Sequence, residues 1–177
     1  MDNARGSLDF VTICCLRLLW DEIYDNWEKV AQDAGLTVTE EQILLVIWFS
    51  KESTVTEVAL IMQRDKGTIS KSIYSLEKNG LVIRKICQDR RYCEFTLTER
   101  GEAVLHELIE KHAKGQGLAF AQGFLALDEK ERVTFARTAF KLVQYVYGNN
   151  YVSNVQQMKN LPVNAVELIS RFMKQTS

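Results

Sequence analysis

The residues best suited to chemistry in this chain are cations and hydroxyls. Between Arg64 and Cys93 the sequence carries eight basic and three acidic residues, a local net charge of +5 in a chain whose net charge is -1. Two of these cations, Lys66 and Lys71, stand among hydroxyl side chains in the run KGTISKSIYS at residues 66–75. Lysine and arginine bind phosphates and guanine edges, and hydroxyls contact either. A basic segment in an otherwise acidic chain therefore indicates a surface for nucleic acid.

The sequence shows no pattern typical of an enzyme active site or a metal site. Its four cysteines lack Cys-x-x-Cys spacing, and His106 and His112 are six residues apart, too far out of phase to share one helical face. No nucleophile stands at a spacing that would pair it with a general base. We therefore predict that the protein is not an enzyme and requires neither a metal nor a cofactor.

Two short helices joined by a turn are predicted to position the basic residues. Thr54 and Glu57 have the spacing of a capping box, which begins the first helix, and residues 63–67 interrupt the apolar pattern as a turn would. The second helix, residues 68–79, ends at Gly80 because glycine tolerates the left-handed conformation of a helix C-terminus. Its inward face consists of three apolar residues at helical spacing: Ile69, Ile73 and Leu76.

A hairpin is predicted after the second helix. Residues 81–86 and 92–97 are rich in β-branched and aromatic side chains, and residues 87–91 lie between them. Two helices, a turn and a hairpin describe a winged helix-turn-helix, whose second helix enters the major groove of double-stranded DNA. The candidate DNA-binding residues are Lys66, Gly67, Thr68, Ser70, Lys71, Tyr74, Ser75, Asp89, Arg90 and Arg91.

Four motifs in this segment resemble the MarR family of bacterial transcription regulators. They are residues 66–71, Leu76-Glu77-Lys78-Asn79-Gly80-Leu81-Val82, Asp89-Arg90-Arg91 and Leu97-Thr98-Glu99-Arg100-Gly101. The resemblance implies a recognition helix at 67–79 in the major groove and a wing at 87–92 in the minor groove, where Asp89 would orient Arg91. It also implies a homodimeric repressor on a pseudo-palindromic operator. Residues 147–151 are similar to the Hpr branch of the family.

Long helices are predicted on both sides of this unit. Residues 8–34 form the first, after a loose lead-in at residues 1–7, and its first half is apolar on nearly all sides. Thr39 and Gln42 form a second capping box, ahead of a buried helix at residues 43–49. Further helices follow caps at Thr98 and Asp128, and one or two more fit the residues after Gly148: 151–159 and 162–173. The fold class is therefore mainly α with a small β-hairpin wing.

The family layout implies one intertwined domain with dimerisation helices at both ends. Residues 1–35 and 99–177 would supply these helices, and residues 36–98 would form the DNA-binding lobe. The apolar stretch at residues 10–20 is interrupted by Arg17 and is too short to cross a bilayer. We therefore predict a cytoplasmic protein without a membrane segment.

Two alternatives share this scaffold. In the first, a small phenolic ligand or the oxidation of a cysteine such as Cys14 or Cys15 controls DNA binding. In the second, the protein is an interaction module that has kept the fold and lost DNA binding. The +5 segment argues against the second alternative, because clustered cations are what phosphate binding requires.

Overall fold

The computed structural model describes residues 2–85, 93–114, 119–156 and 158–162, together with 167, 169, 170 and 172. These residues are mainly helical, with one small sheet. The elements are α1 (Asp2–Asp33), α2 (Val38–Ser50), β1 (Ser53–Thr54), α3 (Val55–Met62), α4 (Lys66–Lys78), β2 (Val82–Arg84), β3 (Glu94–Leu97), α5 (Glu99–Ala113), α6 (Ala119–Ala126) and α7 (Glu129–Gln156). No helix in these ranges is long and apolar enough to span a membrane. The predicted fold class is confirmed.

Helix α2 begins two residues before the predicted position. Thr37, rather than Thr39, is the N-cap: its hydroxyl accepts a hydrogen bond from the Glu40 amide (3.2 Å), and the Glu40 carboxylate accepts one from the Thr37 amide (2.9 Å). The Thr39–Gln42 capping box is therefore wrong. The two candidate boxes overlap, and the charged Glu40 suits the positive end of a helix better than the neutral Gln42 does.

Helix α1 is longer than predicted at its start. It already begins at Asp2, so the loose lead-in at residues 1–7 is wrong. Its end agrees with the prediction, because Gly35 has a φ of +72° and the Leu36 amide bonds to the carbonyl of Ala31. The second half of α1 contributes to the core through Val30 and Ala31.

The sheet has three antiparallel strands in the order β1-β3-β2. The predicted hairpin is confirmed in its described part, where Val82 pairs with Leu97 and Arg84 with Phe95. Strand β1 was not predicted: its two residues pair with Phe95 and Glu94 on the other side of β3. Thr54 ends β1 and also caps α3, accepting from the Glu57 amide at 3.2 Å, which confirms the predicted capping box.

One continuous core joins α1, α2, α3, α4, α5 and the sheet. Its fully buried side chains include Ile43, Leu44, Ile47, Val58, Ile69, Leu76 and Leu105. Gly101, in the first turn of α5, is buried against the backbone between α4 and β2. A Cβ at this position would lie 2.0 Å from the Leu81 carbonyl oxygen, so no larger residue fits without moving the chain.

Among the described apolar residues of α6 and α7, only Val152 is buried within this chain. The predicted cap at Asp128 is confirmed, since its carboxylate accepts from the Glu131 amide at 2.8 Å. Gly148, at φ 79° and ψ 170°, interrupts α7, which then continues to Gln156 rather than to the predicted residue 159. Of the helix predicted at residues 162–173, the structure describes Pro162, which is not helical, and residues 167, 169, 170 and 172, which are.

The described residues include two regions that differ in burial, the lobe and the arm. The lobe is residues 36–98, in the part of that range that the structure describes. The arm is the first half of α1 (residues 6–24) together with residues 119–147 of α6 and α7.

Candidate nucleic-acid interface

The N-terminus of α4 is closed by Asp65. The carboxylate of Asp65 accepts hydrogen bonds from the Thr68 hydroxyl (2.6 Å) and the Thr68 amide (2.8 Å). These bonds, the hydroxyl bond first, hold the pKa of Asp65 below its ordinary value. The predicted start at Thr68 is therefore wrong by two residues. Gly67 belongs to the first helical turn, where backbone amides have no intrahelical partner in any case.

The inner face and the end of α4 agree with the sequence prediction. The three predicted inward residues, Ile69, Ile73 and Leu76, are at most 2% exposed. Gly80 takes a φ of +68°, and the Leu81 amide bonds to the Leu76 carbonyl at 3.0 Å, which closes the helix with a left-handed residue. Because one face is sealed against the core, the rotation of α4 about its own axis is fixed.

The opposite face of α4 carries most of the candidate residues. Six of the seven candidates on this helix are exposed: Lys66, Gly67, Thr68, Ser70, Lys71 and Tyr74. Ser75 is half-buried and lies away from the groove described below. The hydroxyl of Thr68 donates to Asp65, so it can offer only its lone pairs to another group. The free donors of this face are therefore Lys66, Ser70, Lys71 and Tyr74.

A groove of about 740 Å³ runs between α4, the start of α3 and the base of the hairpin. Ser70, Lys71 and Tyr74 line it from α4, and Thr56 and Arg84 face them from α3 and β2. Cations and hydroxyls thus line a concave surface beside an exposed helix, together with apolar side chains and the carboxylate of Glu57. A phosphate backbone running along this groove would meet donors from three elements of the fold.

Arg84 is a further candidate site residue. It was included in the +5 segment and was not assigned to the site from the sequence. Its guanidinium lies 5.3 Å from the centre of the Phe95 ring and 3.7 Å from the Glu77 carboxylate of α4. Its pairing partner across the sheet is also Phe95. A cation held over a ring and beside a carboxylate is positioned before any ligand arrives. Sequence spacing alone could not have found it, because the contact depends on the strand register.

The turn between α3 and α4 is tight. Gln63 ends α3 in the left-handed conformation at φ 51°, and the Arg64 amide bonds to the Ala59 carbonyl at 3.0 Å. Asp65, the next residue, is already the cap of α4. The exposed Arg64 therefore lies where the two helices meet, next to Lys66 in the first turn of α4.

The predicted wing residues Asp89, Arg90 and Arg91 lie outside the described residues. The strands leading toward them are described as far as Lys85, whose amide bonds to the Glu94 carbonyl at 2.8 Å. This bond extends the ladder one residue past Arg84. The position of the hairpin base relative to α4 is thereby defined, and the assignment of the three wing residues stays a prediction.

Metal ligation finds no support within the described ranges, where no group of three or more His, Cys, Asp and Glu side chains is arranged to hold an ion. His112 instead contacts Glu41 of α2, with 2.6 Å between Nε2 and Oε1. His106 lies against Trp48, with 6.0 Å between the ring centres.

Comparisons of sequence and structure bear on the family resemblance. The family model for the sugar-specific transcriptional regulator TrmB matches residues 31–97. The HTH-type transcriptional regulator Hpr of Geobacillus sp. (strain WCH70) is 24% identical over 164 residues, which cover 91% of this chain and 81% of that protein. These relatives are transcription regulators, which agrees with the prediction that the chain is not an enzyme.

Solved structures share the fold. AbsC, a MarR family transcriptional regulator from Streptomyces coelicolor, superposes with a TM-score of 0.67 at 20% identity, over 84% of this chain and 98% of that one. A MepR mutant from S. aureus, bound to an oligodeoxyribonucleotide, superposes with a TM-score of 0.52 at 17% identity, over 76% of this chain and 97% of that one. The resemblance to the MarR family and to its Hpr branch is confirmed.

Proposed function

We propose that this chain is a sequence-specific DNA-binding transcription regulator whose helix α4 enters the major groove. The observation that carries the proposal is the division of α4 into a sealed apolar face and an exposed face of cations and hydroxyls. Any amphipathic surface helix has a sealed face, so what points to nucleic acid is the basic and hydroxyl-rich character of the exposed face beside the groove. The Hpr regulators and the DNA-bound MepR mutant support the same reading by their similarity to this chain.

We also propose that two copies act together on a pseudo-palindromic operator. The arm exposes large apolar side chains that a single chain leaves uncovered: Leu8, Phe10, Ile13, Leu18, Leu125, Leu142, Tyr145 and Val146. Exposed apolar surface of this extent marks an interface. Two lobes joined through their arms would reach half-sites about 34 Å apart, one turn of the duplex. Repression, rather than activation, is the outcome that the family resemblance implies.

The wing would act in the minor groove beside each half-site. Asp89, Arg90 and Arg91 follow Lys85 at the described base of the hairpin. A planar and weakly hydrated guanidinium suits the negative potential of a narrow minor groove better than an ammonium does. In this arrangement Asp89 orients Arg91, as the family resemblance implies.

The test begins with the wild-type protein and a library of random duplexes. We expect it to enrich a two-fold symmetric sequence and to bind it with an affinity that falls steeply with salt. Lys71→Ala should then weaken binding by roughly 1–3 kcal/mol, because Lys71 is exposed on α4 and removes no core contact. Lys29→Ala, an exposed lysine on α1 outside the lobe, is the matched control.

The pattern of losses separates the roles of Lys71. If it contacts a base, discrimination at one operator position relaxes; if it contacts a phosphate, every sequence loses affinity and the salt slope becomes shallower. Absence of any enriched duplex, or an affinity that ignores salt, would reject DNA binding and favour the interaction module.

A further inference from the structure

The chain after α7 returns to the lobe and bonds to the end of α2. The Asn160 amide donates to the Phe49 carbonyl (2.7 Å), and the Asn160 side-chain amide donates to the Trp48 carbonyl (2.7 Å). Both carbonyls lie in the last turn of α2, where the carbonyl oxygens have no amide donor within the helix. A residue more than a hundred positions away in sequence therefore completes the hydrogen bonding of this helix.

The neighbouring residue extends the connection to the base of the hairpin. Lys159 Nζ lies 3.2 Å from one oxygen of the Glu52 carboxylate, and Lys85 Nζ contacts the other oxygen. Lys85, with the larger effect, and Lys159 together lower the pKa of Glu52 below its ordinary value. Glu52 thus bridges the returning chain and the strand that leads into the wing.

The same part of the chain also packs against α3 and the core of the lobe. Met158 lies against the hydrophobic core of the lobe. Together with Asn154 it lines a cavity of about 240 Å³ whose other walls include Leu60 and Ile61 of α3. The chain therefore contacts α2, α3 and the hairpin base, and none of these contacts involves a residue of α4.

Helix α7 consequently belongs to two regions. Its residues before the break at Gly148 are part of the arm, and its continuation leads to the lobe. The other two connections run through α1, whose second half enters the core of the lobe, and through α5, which packs on the same core. The contacts of residues 158–160 with α2 and the hairpin base add a third attachment, which restricts bending of the lobe relative to the arm.

We propose that residues 158–162 form a strap that fixes the angle between lobe and arm and thereby sets the half-site spacing that the dimer accepts. The inference rests on the proposed function. In a two-fold dimer, any rotation of the lobes changes the distance between the two α4 helices. One base pair of spacing corresponds to about 3.4 Å along the duplex and a tenth of a turn around it. Lys159 and Asn160 are thus positioning residues for specificity, without touching DNA.

The experiment uses the duplex that the full-length wild-type protein selects, together with versions that have one base pair inserted or removed between the half-sites. The variants are Lys159→Ala, which removes only an exposed ion pair, and the double variant Lys159→Ala/Asn160→Ala. The matched control is Lys29→Ala, an exposed lysine on α1. Thermal unfolding and sedimentation confirm that each variant is folded and of wild-type oligomeric state.

We expect the wild type and Lys29→Ala to lose roughly tenfold or more in affinity on either altered spacing, since a misplaced half-site forfeits its base contacts. The double variant should bind the three spacings to within about threefold of one another, as a lobe free to reorient would. Lys159→Ala alone should fall between them.

The outcomes distinguish a failure of the proposed function from a failure of the strap. Wild-type protein that selects no duplex would overturn the proposed function and this inference with it. With wild-type selection intact, a folded double variant that discriminates spacing as the wild type does would overturn the strap alone. An equal loss of affinity on all three spacings would also overturn it, because the segment would then support binding rather than spacing.

Discussion

The arm is richer in apolar residues than the lobe, yet only the lobe buries them within this chain. Ile43, Leu44 and Ile69 of the lobe are fully buried. In the arm, Phe10 is 69% exposed and Tyr145 is 90% exposed, and α6 has no buried residue. Hydrophobic periodicity therefore identifies which side chains require cover. It does not tell whether the same chain provides that cover or a second copy does.

The largest effect is expected from a charge placed on the arm, which tests whether the arm is a subunit interface. Ile13 is 67% exposed on α1, so Ile13→Glu leaves the core of the lobe untouched. If the arm is a subunit interface, burying a carboxylate there dissociates the dimer, and operator affinity should fall by a hundredfold or more, on the order of 3 kcal/mol. Sedimentation and operator titration measure the two effects.

A charge change elsewhere on the same helix provides the control. Lys29→Glu lies in the exposed part of the second half of α1, outside the arm as defined above. It should remain dimeric and bind nearly as the wild type does. An Ile13→Glu protein that sediments as a wild-type dimer would show that the exposed half of α1 is not the interface.

The converse change destabilises the lobe through its contact with α5 and leaves the arm unchanged. Gly101→Ala would place a methyl group 2.0 Å from the Leu81 carbonyl oxygen, so the start of α5 must shift away from the α4–β2 junction. We expect a loss of about 2–3 kcal/mol in the free energy of unfolding, typical of overpacking. Chemical denaturation measures it. Gly123→Ala is the control, because no atom lies within 4 Å of a Cβ at Gly123 in α6.

The distinction would fail if both glycine variants lost the same stability. It would also fail if Gly101→Ala dissociated the dimer at concentrations where the protein remains folded. Either result would mean that the stability of the lobe and dimerisation through the arm depend on the same contacts.

The smallest expected effect concerns the cap of α4. The Thr68 bonds lower the pKa of Asp65, so the charged carboxylate stabilises the folded lobe above its unfolded-state pKa, and this contribution disappears as the pH falls through the lower, folded-state pKa. Asp65→Asn keeps a good cap without the titrating group. The melting temperatures of wild type and variant should therefore differ more at pH 6 than at about pH 3.

A difference in melting temperature that stayed constant over this pH range would show that the charge of Asp65 contributes nothing to the lobe. Asp9→Asn is the control, since Asp9 is exposed in the arm. It should shift the melting temperature by less than Asp65→Asn does at the higher pH.

Local signals in the sequence predicted the elements that depend on near neighbours. The caps at Thr54, Thr98 and Asp128 were all placed correctly, because each is closed by an amide three residues away. The inward stripe of α4 was also correct, since helical phase alone determines it. The error at Thr39 arose where two capping boxes compete within two residues, and the error at Thr68 arose because Lys66 and Gly67 were assigned to the turn.

Features that depend on contacts between residues distant in the sequence were not predicted. Strand β1 is only two residues long and exists because β3 presents a free edge to it. The bonds of Asn160 to α2 and the placement of Arg84 over Phe95 likewise depend on the assembled fold. Of the candidate site, the exposed face of α4 followed from the sequence, whereas the groove and its second wall did not.

The double role of Thr54 limits how this protein can change in length. The residue that ends β1 is also the residue that caps α3, so no linker separates the sheet from the helix pair. An inserted residue at this point would break either the pairing of Thr54 with Glu94 or the hydrogen bond from the Glu57 amide to the Thr54 hydroxyl. Length variation among related sequences should therefore avoid the junction between residues 53 and 57, and a hairpin that shifts along its register must carry the start of α3 with it.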